Sequence, residues 1–239
     1  MAKWNEITAV FGGTFDPPHV GHIAAVRGLF ERPGVGRVIV LPSPVPPQKP
    51  AGVTETHARA HMVRLTFGDR AKFPGPVLID SREILRSQLH PGLPSFTYDT
   101  LQQMRGEIPN LAFVIGADQF YNLPTWHRFP DLLDLCHWIV LERKPNGADL
   151  AGKALSEFVA NGLAKPQSSR SSQSSMTSET WTFGRAGKSS LTIIPTDAPS
   201  ISSTEIRETI GRTGHPPENG LTPEVLEYLK LHRVYGTAP

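Results

Sequence analysis

Cysteine is all but missing from this chain. Among 239 residues only Cys136 carries a thiol, so no disulfide can form within one copy. That fits a reducing compartment, and Cys136, set in an apolar run, reads as core rather than nucleophile. Long apolar runs are missing too. None approaches the roughly 20 residues of a membrane-spanning helix, and the short apolar stretch near the N-terminus lacks the layout of a signal peptide. The expectation is a soluble cytoplasmic protein with no membrane partner. A strong charge of one sign is also absent. Lys+Arg number 24 against 22 Asp+Glu, a net charge of +2 with pI ≈ 8.8. So mild an excess gives no ground for a nucleic-acid partner, although it suits a local basic pocket for polyphosphate. Charged residues make up only 19%, while Pro reaches 23 and Gly 21, so long loops are expected. The length suits a single α/β domain over 1–239, with enough chain to bury a real core.

What is present is a series of apolar runs at strand length. Ile7 to Phe11, Val38 to Leu41, Val77 to Ile79, Leu111 to Ile115, Trp138 to Leu141 and Leu191 to Ile194 are separated by helical patterns over 20–31, 56–68, 97–105, 118–135 in pieces, and 149–162. Continuous apolar strands alternating with helices predict a doubly wound parallel sheet covered on both faces, with ligands beyond the C-terminal strand ends. Residues 165–190 break this pattern. Seven of the twelve residues from Gln167 to Ser178 are serine, a composition that predicts a disordered or mobile insertion. A small helical portion over 200–235 closes the chain.

The organising stretch is Gly12-Gly13-Thr14-Phe15-Asp16-Pro17-Pro18-His19-Val20-Gly21-His22. It lies between the first strand and a helix, the context of an anion site built from backbone N–H groups and the positive end of the helix dipole. His19 and His22, three apart, fall on one side of the first helical turn, where two neutral donors suit phosphate oxygens. Two alternatives stay open: a plain strand-to-helix turn, or half of a metal site lacking a nearby third ligand.

Further candidates follow in chain order. Pro42 to Pro50 is a stiff loop carrying one cation, Lys49, toward the ligand end, or else a surface linker. Arg59 shares a helix face with Met62 and points either inward or to solvent. Thr97, Asp99 and Thr100 offer caps to a helix. Asp118 follows Gly116 at a strand end, where it suits a ribose hydroxyl, and Trp126 either stacks on a flat ring or is core. Ser202 and Glu205 have capping-box spacing. Arg207 lies in the first turns of that helix, where a cation opposes the dipole unless an anion is bound.

These segments together resemble the bacterial nicotinate-nucleotide adenylyltransferase family of the HxGH nucleotidylyltransferase superfamily. The resemblance is carried by the opening loop, the P-P-x-K loop ending at Lys49, the Arg59/Met62 helix, Ser95 to Leu101, Gly116 to Trp126, and I-S-S-T-x-I-R at 201–207. No K-M-S-K-S string is present, which sets the chain apart from aminoacyl-tRNA synthetases. Departures are Gln48 where the family has His, Phe96 where it has Tyr, and the Ser-rich insertion. The resemblance implies a Rossmann-like fold and transfer of AMP from ATP to nicotinate mononucleotide, with release of pyrophosphate. It implies His19, His22, Lys49 and Arg207 as catalytic donors. Gly12, Gly13, Thr14, Phe15, Ser202, Ser203 and Thr204 join His19, His22 and Arg207 around ATP. Asp16, Lys49, Thr97, Gly116, Asp118 and Trp126 would contact the mononucleotide. Mg2+ would arrive on the triphosphate, with no resident metal site.

Overall fold

Five consecutive buried residues, Ile7 to Phe11, open the chain as β1 (Ile7–Gly13). The computed structural model describes residues 7–32, 34–44, 54–91, 93–143, 146–167 and 180–238. After β1 come α1 (Val20–Phe30), β2 (Val35–Pro42), α2 (Thr56–Phe67), β3 (Val77–Ile79), α3 (Arg82–Leu89) and α4 (Thr97–Glu107). Then follow β4 (Leu111–Gly116), α5 (Ala117–Asn122), β5 (His137–Arg143), α6 (Gly147–Ala160), β6 (Ala164–Pro166), β7 (Thr180–Phe183) and β8 (Ser189–Thr196). Helices α7 (Ser203–Thr213) and α8 (Pro223–His232) and a 3-10 turn, Val234–Gly236, close the chain. The sheet has eight strands in the order β3-β2-β1-β4-β5-β8-β7-β6. The chain runs outward from β1 to β3 and then returns to β4. The glycine-rich loop leaves the sheet from the end of β1. No helix among the described residues is long and apolar enough to cross a membrane.

The expected strands and their helical connections are present, and β2–β3, β4–β5 and β5–β8 pair in parallel. The doubly wound, mostly parallel sheet is present as expected, and the antiparallel pairs β6–β7 and β7–β8 extend it at the β8 edge. The flanks of the expected 165–190 insertion are therefore strands, and only the Ser-rich 168–179 lies outside the described residues. Phe183 explains why β7 is held, since its ring is fully buried against Phe158 at 5.4 Å and Trp138 at 6.3 Å. Helix α3 was also unanticipated. It is only eight residues long, Ser81 gives it no side-chain cap, and Leu85 and Leu89 face solvent.

The described chain divides into two compact units. The first holds Phe11–Ser95 and Ala198–Pro239, the second Glu6–Val10 and Phe96–Asp197. In the first, Met62 of α2, Ile206 and Ile210 of α7, and Val225 and Leu229 of α8 form a fully buried cluster, with Tyr228, Val234 and Tyr235 packed on it. In the second, Phe120, Phe158, Phe183 and Trp138 build an aromatic core, and the Trp138 indole N–H donates to the Leu133 carbonyl at 3.1 Å. Cys136 is buried in this unit, and burial pushes its thiol far up from the ordinary range.

Candidate active site

The start of α1 is built by its own histidines. His19 is the N-cap, and its Nδ1 accepts the Gly21 N–H at 3.1 Å. The Nδ1 of His22 accepts the His19 N–H at 3.1 Å, completing a reciprocal capping box. Imidazole thus does the work usually done by Ser and Glu. With both Nδ1 atoms accepting, the proton of each neutral ring belongs on Nε2, so each presents an Nε2–H donor. The rings lie 3.7 Å apart, and Phe15 meets His22 edge-on at 5.0 Å. Gly21 is required here, because a Cβ would stand 2.9 Å from His19 Nδ1. Gly13 is required for a similar reason, a Cβ there standing 2.8 Å from the buried Phe15 ring. His19 is buried and His22 partly so.

Helix α7 reaches the same loop. Its N-cap Ser202 accepts the Glu205 N–H, Ser203 Oγ donates to the Pro17 carbonyl at 2.8 Å, and Arg207 Nη1 donates to the Asp16 carbonyl at 2.6 Å. Arg207 Nη2 also donates to Thr204 Oγ1 at 3.3 Å. The hydroxyls of 202–204 therefore brace the helix start, and what α7 presents to an anion is its first-turn amides and Arg207. Gly12 and Thr14 line the loop, half-buried. Arg59 points inward. Its guanidinium donates to the carbonyls of Thr14, Ser43, Pro44 and Thr54, which pins the roots of the stretch carrying Lys49. Burial lowers its pKa, with Asp16 and Tyr235 acting the other way. Lys49 and Gln48 lie outside the described residues.

Asp16, expected at the mononucleotide, is surrounded by protein groups. It is only 3% exposed. Oδ1 accepts from the Tyr235 hydroxyl at 2.7 Å, Oδ2 accepts the Thr54 N–H at 3.2 Å, and Oδ2 lies 3.9 Å from Arg207 Nη1. The carboxylate is committed to protein partners. Tyr235 was missed in the sequence; nothing in its neighbourhood marks a residue whose partner lies 219 positions away.

The other expected residues sit in the second unit. Thr97 opens α4 as its first helical residue, not as its cap; Phe96 holds the N-cap position without a side-chain bond. Thr100 Oγ1 turns back to the Phe96 carbonyl at 3.4 Å. Gly116 caps α5, and Asp118, exposed in its first turn, folds back so closely that a Cβ on Gly116 would stand 2.6 Å from Oδ1. Trp126 is partly exposed and meets Phe113 edge-on at 6.4 Å. Its neighbour His127 stacks on Phe96 at 4.1 Å. Among the described residues no group of three or more His, Cys, Asp or Glu could hold a metal ion.

Residues 10–209, the span that holds this glycine-rich loop, the histidine-capped helix and Arg207, match the family model described as cytidylyltransferase-like. That sets the class, a nucleotidyltransferase. A relative from Yersinia pestis (strain Pestoides F), described as a probable nicotinate-nucleotide adenylyltransferase, is 31% identical over 97% of this chain and 96% of its own length. One of the same description from Klebsiella pneumoniae (strain 342) is 39% identical over 60% of this chain and 63% of that protein. The chain belongs to the nicotinate-nucleotide adenylyltransferase family. The fold is also that of the Plasmodium falciparum nicotinic acid mononucleotide adenylyltransferase complexed with NaAD, at a TM-score of 0.69, 16% identity and 98% coverage of both chains.

Proposed function

We propose that this chain transfers the AMP group of ATP to nicotinate mononucleotide, giving nicotinate adenine dinucleotide and pyrophosphate, a step in NAD biosynthesis. The observation that carries the reading is the imidazole capping box at α1, which fixes two Nε2–H donors at one helix start. The attacking group is the mononucleotide phosphate. Its second pKa is about 6, so it is mostly dianionic at neutral pH and needs no general base. One of its oxygens forms a bond to the α-phosphorus, the bond from that phosphorus to the bridging oxygen breaks, and pyrophosphate leaves with the electron pair. The protein's task is to hold two anions in line and stabilise the charge that builds at the α-phosphoryl group. His19, His22, Arg207, Lys49 and the loop amides from Gly12 to Phe15 are the donors assigned to it. Thr97, Gly116, Asp118 and Trp126 are assigned to the mononucleotide. This donor set is neutral or cationic around one buried carboxylate. It fits a metal, Mg2+ in this reading, that comes on the nucleotide and neutralises part of the triphosphate charge.

The test is pyrophosphate release with Mg-ATP and either nicotinate or nicotinamide mononucleotide. Release with the acid form is expected, and His22→Ala should lower kcat by on the order of 10²–10³, the effect of losing one transition-state donor. No release with either mononucleotide would sink the reading. Equal release with both would replace acid preference by dual specificity.

A further inference from the structure

Tyr235 adopts φ 61° and ψ 10°, and Arg233, two residues earlier, φ 49° and ψ 37°. Both lie in the left-handed region, where a side chain is strained unless its surroundings hold it. The turn is held on both sides. Thr237 N–H donates to the Val234 carbonyl at 3.1 Å, and Ala238 N–H to the Gly214 carbonyl at 2.8 Å. The product of this strain is the position of one hydroxyl, 2.7 Å from Asp16 Oδ1. Burial, and then the Asp16 carboxylate, push the Tyr235 phenol up from its ordinary value, so it remains a donor. Asp16 in turn faces Arg207, with its carbonyl 2.6 Å and its Oδ2 3.9 Å from the same Nη1.

We propose that Tyr235 is a positioning residue for adenylyl transfer, sharing the Asp16 carboxylate so that Arg207 stays available to the triphosphate. The inference rests on the reading given under Proposed function. Arg207 is held at this loop chiefly by a neutral carbonyl, and its contact with the carboxylate is long. A carboxylate that has lost its phenol donor turns to the nearest cation. A shortened Asp16–Arg207 pair then competes directly with the triphosphate for the guanidinium. The effect therefore falls on ATP rather than on the mononucleotide.

The experiment compares the parent, Y235F, R207Q and the double variant. It measures kcat and both KM values by pyrophosphate release with Mg-ATP and nicotinate mononucleotide, alongside melting curves. Y235F keeps the ring and removes the hydroxyl, with its donation to Asp16 and its contact with Thr54. The expected result is an ATP KM raised about tenfold, the scale of one hydrogen bond to a charged group, with the mononucleotide KM within about twofold of the parent. In the R207Q background the same change should move the ATP KM by less than about twofold, because coupled residues are not additive. Asp16→Asn supplies a second arm, and there too Y235F should be silent. An ATP KM unchanged in Y235F, an equal loss in both backgrounds, or a lowered melting temperature with parental kinetics each overturns the inference. A parent that releases no pyrophosphate overturns the transfer reading and this inference with it. An active parent with an indifferent Y235F overturns this inference alone.

Discussion

At Gly21 a hydrogen in place of a methyl decides whether His19 can cap its helix. Replacing glycine by alanine inside a helix ordinarily stabilises by roughly 0.4–1 kcal/mol. Here the added Cβ would stand 2.9 Å from the Nδ1 of a ring that is 1% exposed and has no room to swing. Gly21→Ala should therefore lower kcat at least about tenfold, by turning an Nε2–H donor out of place, without raising the melting temperature. Steady-state kinetics with a melting curve checks this, and a stabilised variant of parental activity would refute it. The helix-start placement of the two histidines was legible in the sequence because their capping partners lie within three residues. Arg59 was half legible. Helical spacing offered it an inward face, but not the four carbonyls it holds, because three of those belong to segments brought alongside by the fold. Tyr235 was not legible, since its significance is a contact across the length of the chain.

Among the elements, the parallel strands could be read because burial on both faces makes them continuous apolar runs. Strands β6 and β7 could not. They are three and four residues long, only Ala164 and Phe183 in them are buried, and polar sequence separates them. Their pairing has a practical consequence for the Ser-rich stretch between them. Gln167 N–H donates to the Thr180 carbonyl at 3.1 Å, so the two residues flanking 168–179 are paired across the ladder. Replacing 168–179 with a two-residue Asn-Gly turn should leave kcat/KM within about threefold, since shortening a closed loop changes its closure entropy only slightly. A much larger loss of activity would mean that the stretch contributes to the site or to an interface between copies.

For the molecule as a whole, acid is expected to destabilise the fold through His137. Its Nδ1 accepts from Ser190 N–H at 3.1 Å, with Ser190 Oγ at 2.9 Å, and burial lowers its pKa. A histidine whose folded pKa lies below its unfolded value binds its proton first in the unfolded chain. Stability is then complete above the unfolded pKa of about 6.5 and declines as pH falls below it. Melting temperatures from pH 7.5 to 5.5 should fall, and fall less steeply in His137→Gln. Parallel curves for the two proteins would remove His137 from the account. The burial of Cys136 has a different use. A thiol reacts as its thiolate, and this one is both enclosed and held protonated. A cysteine introduced at an exposed position such as Leu231, 77% exposed on α8, is the one thiol a maleimide dye will find, so the folded protein can be labelled at a chosen point with its own cysteine left in place.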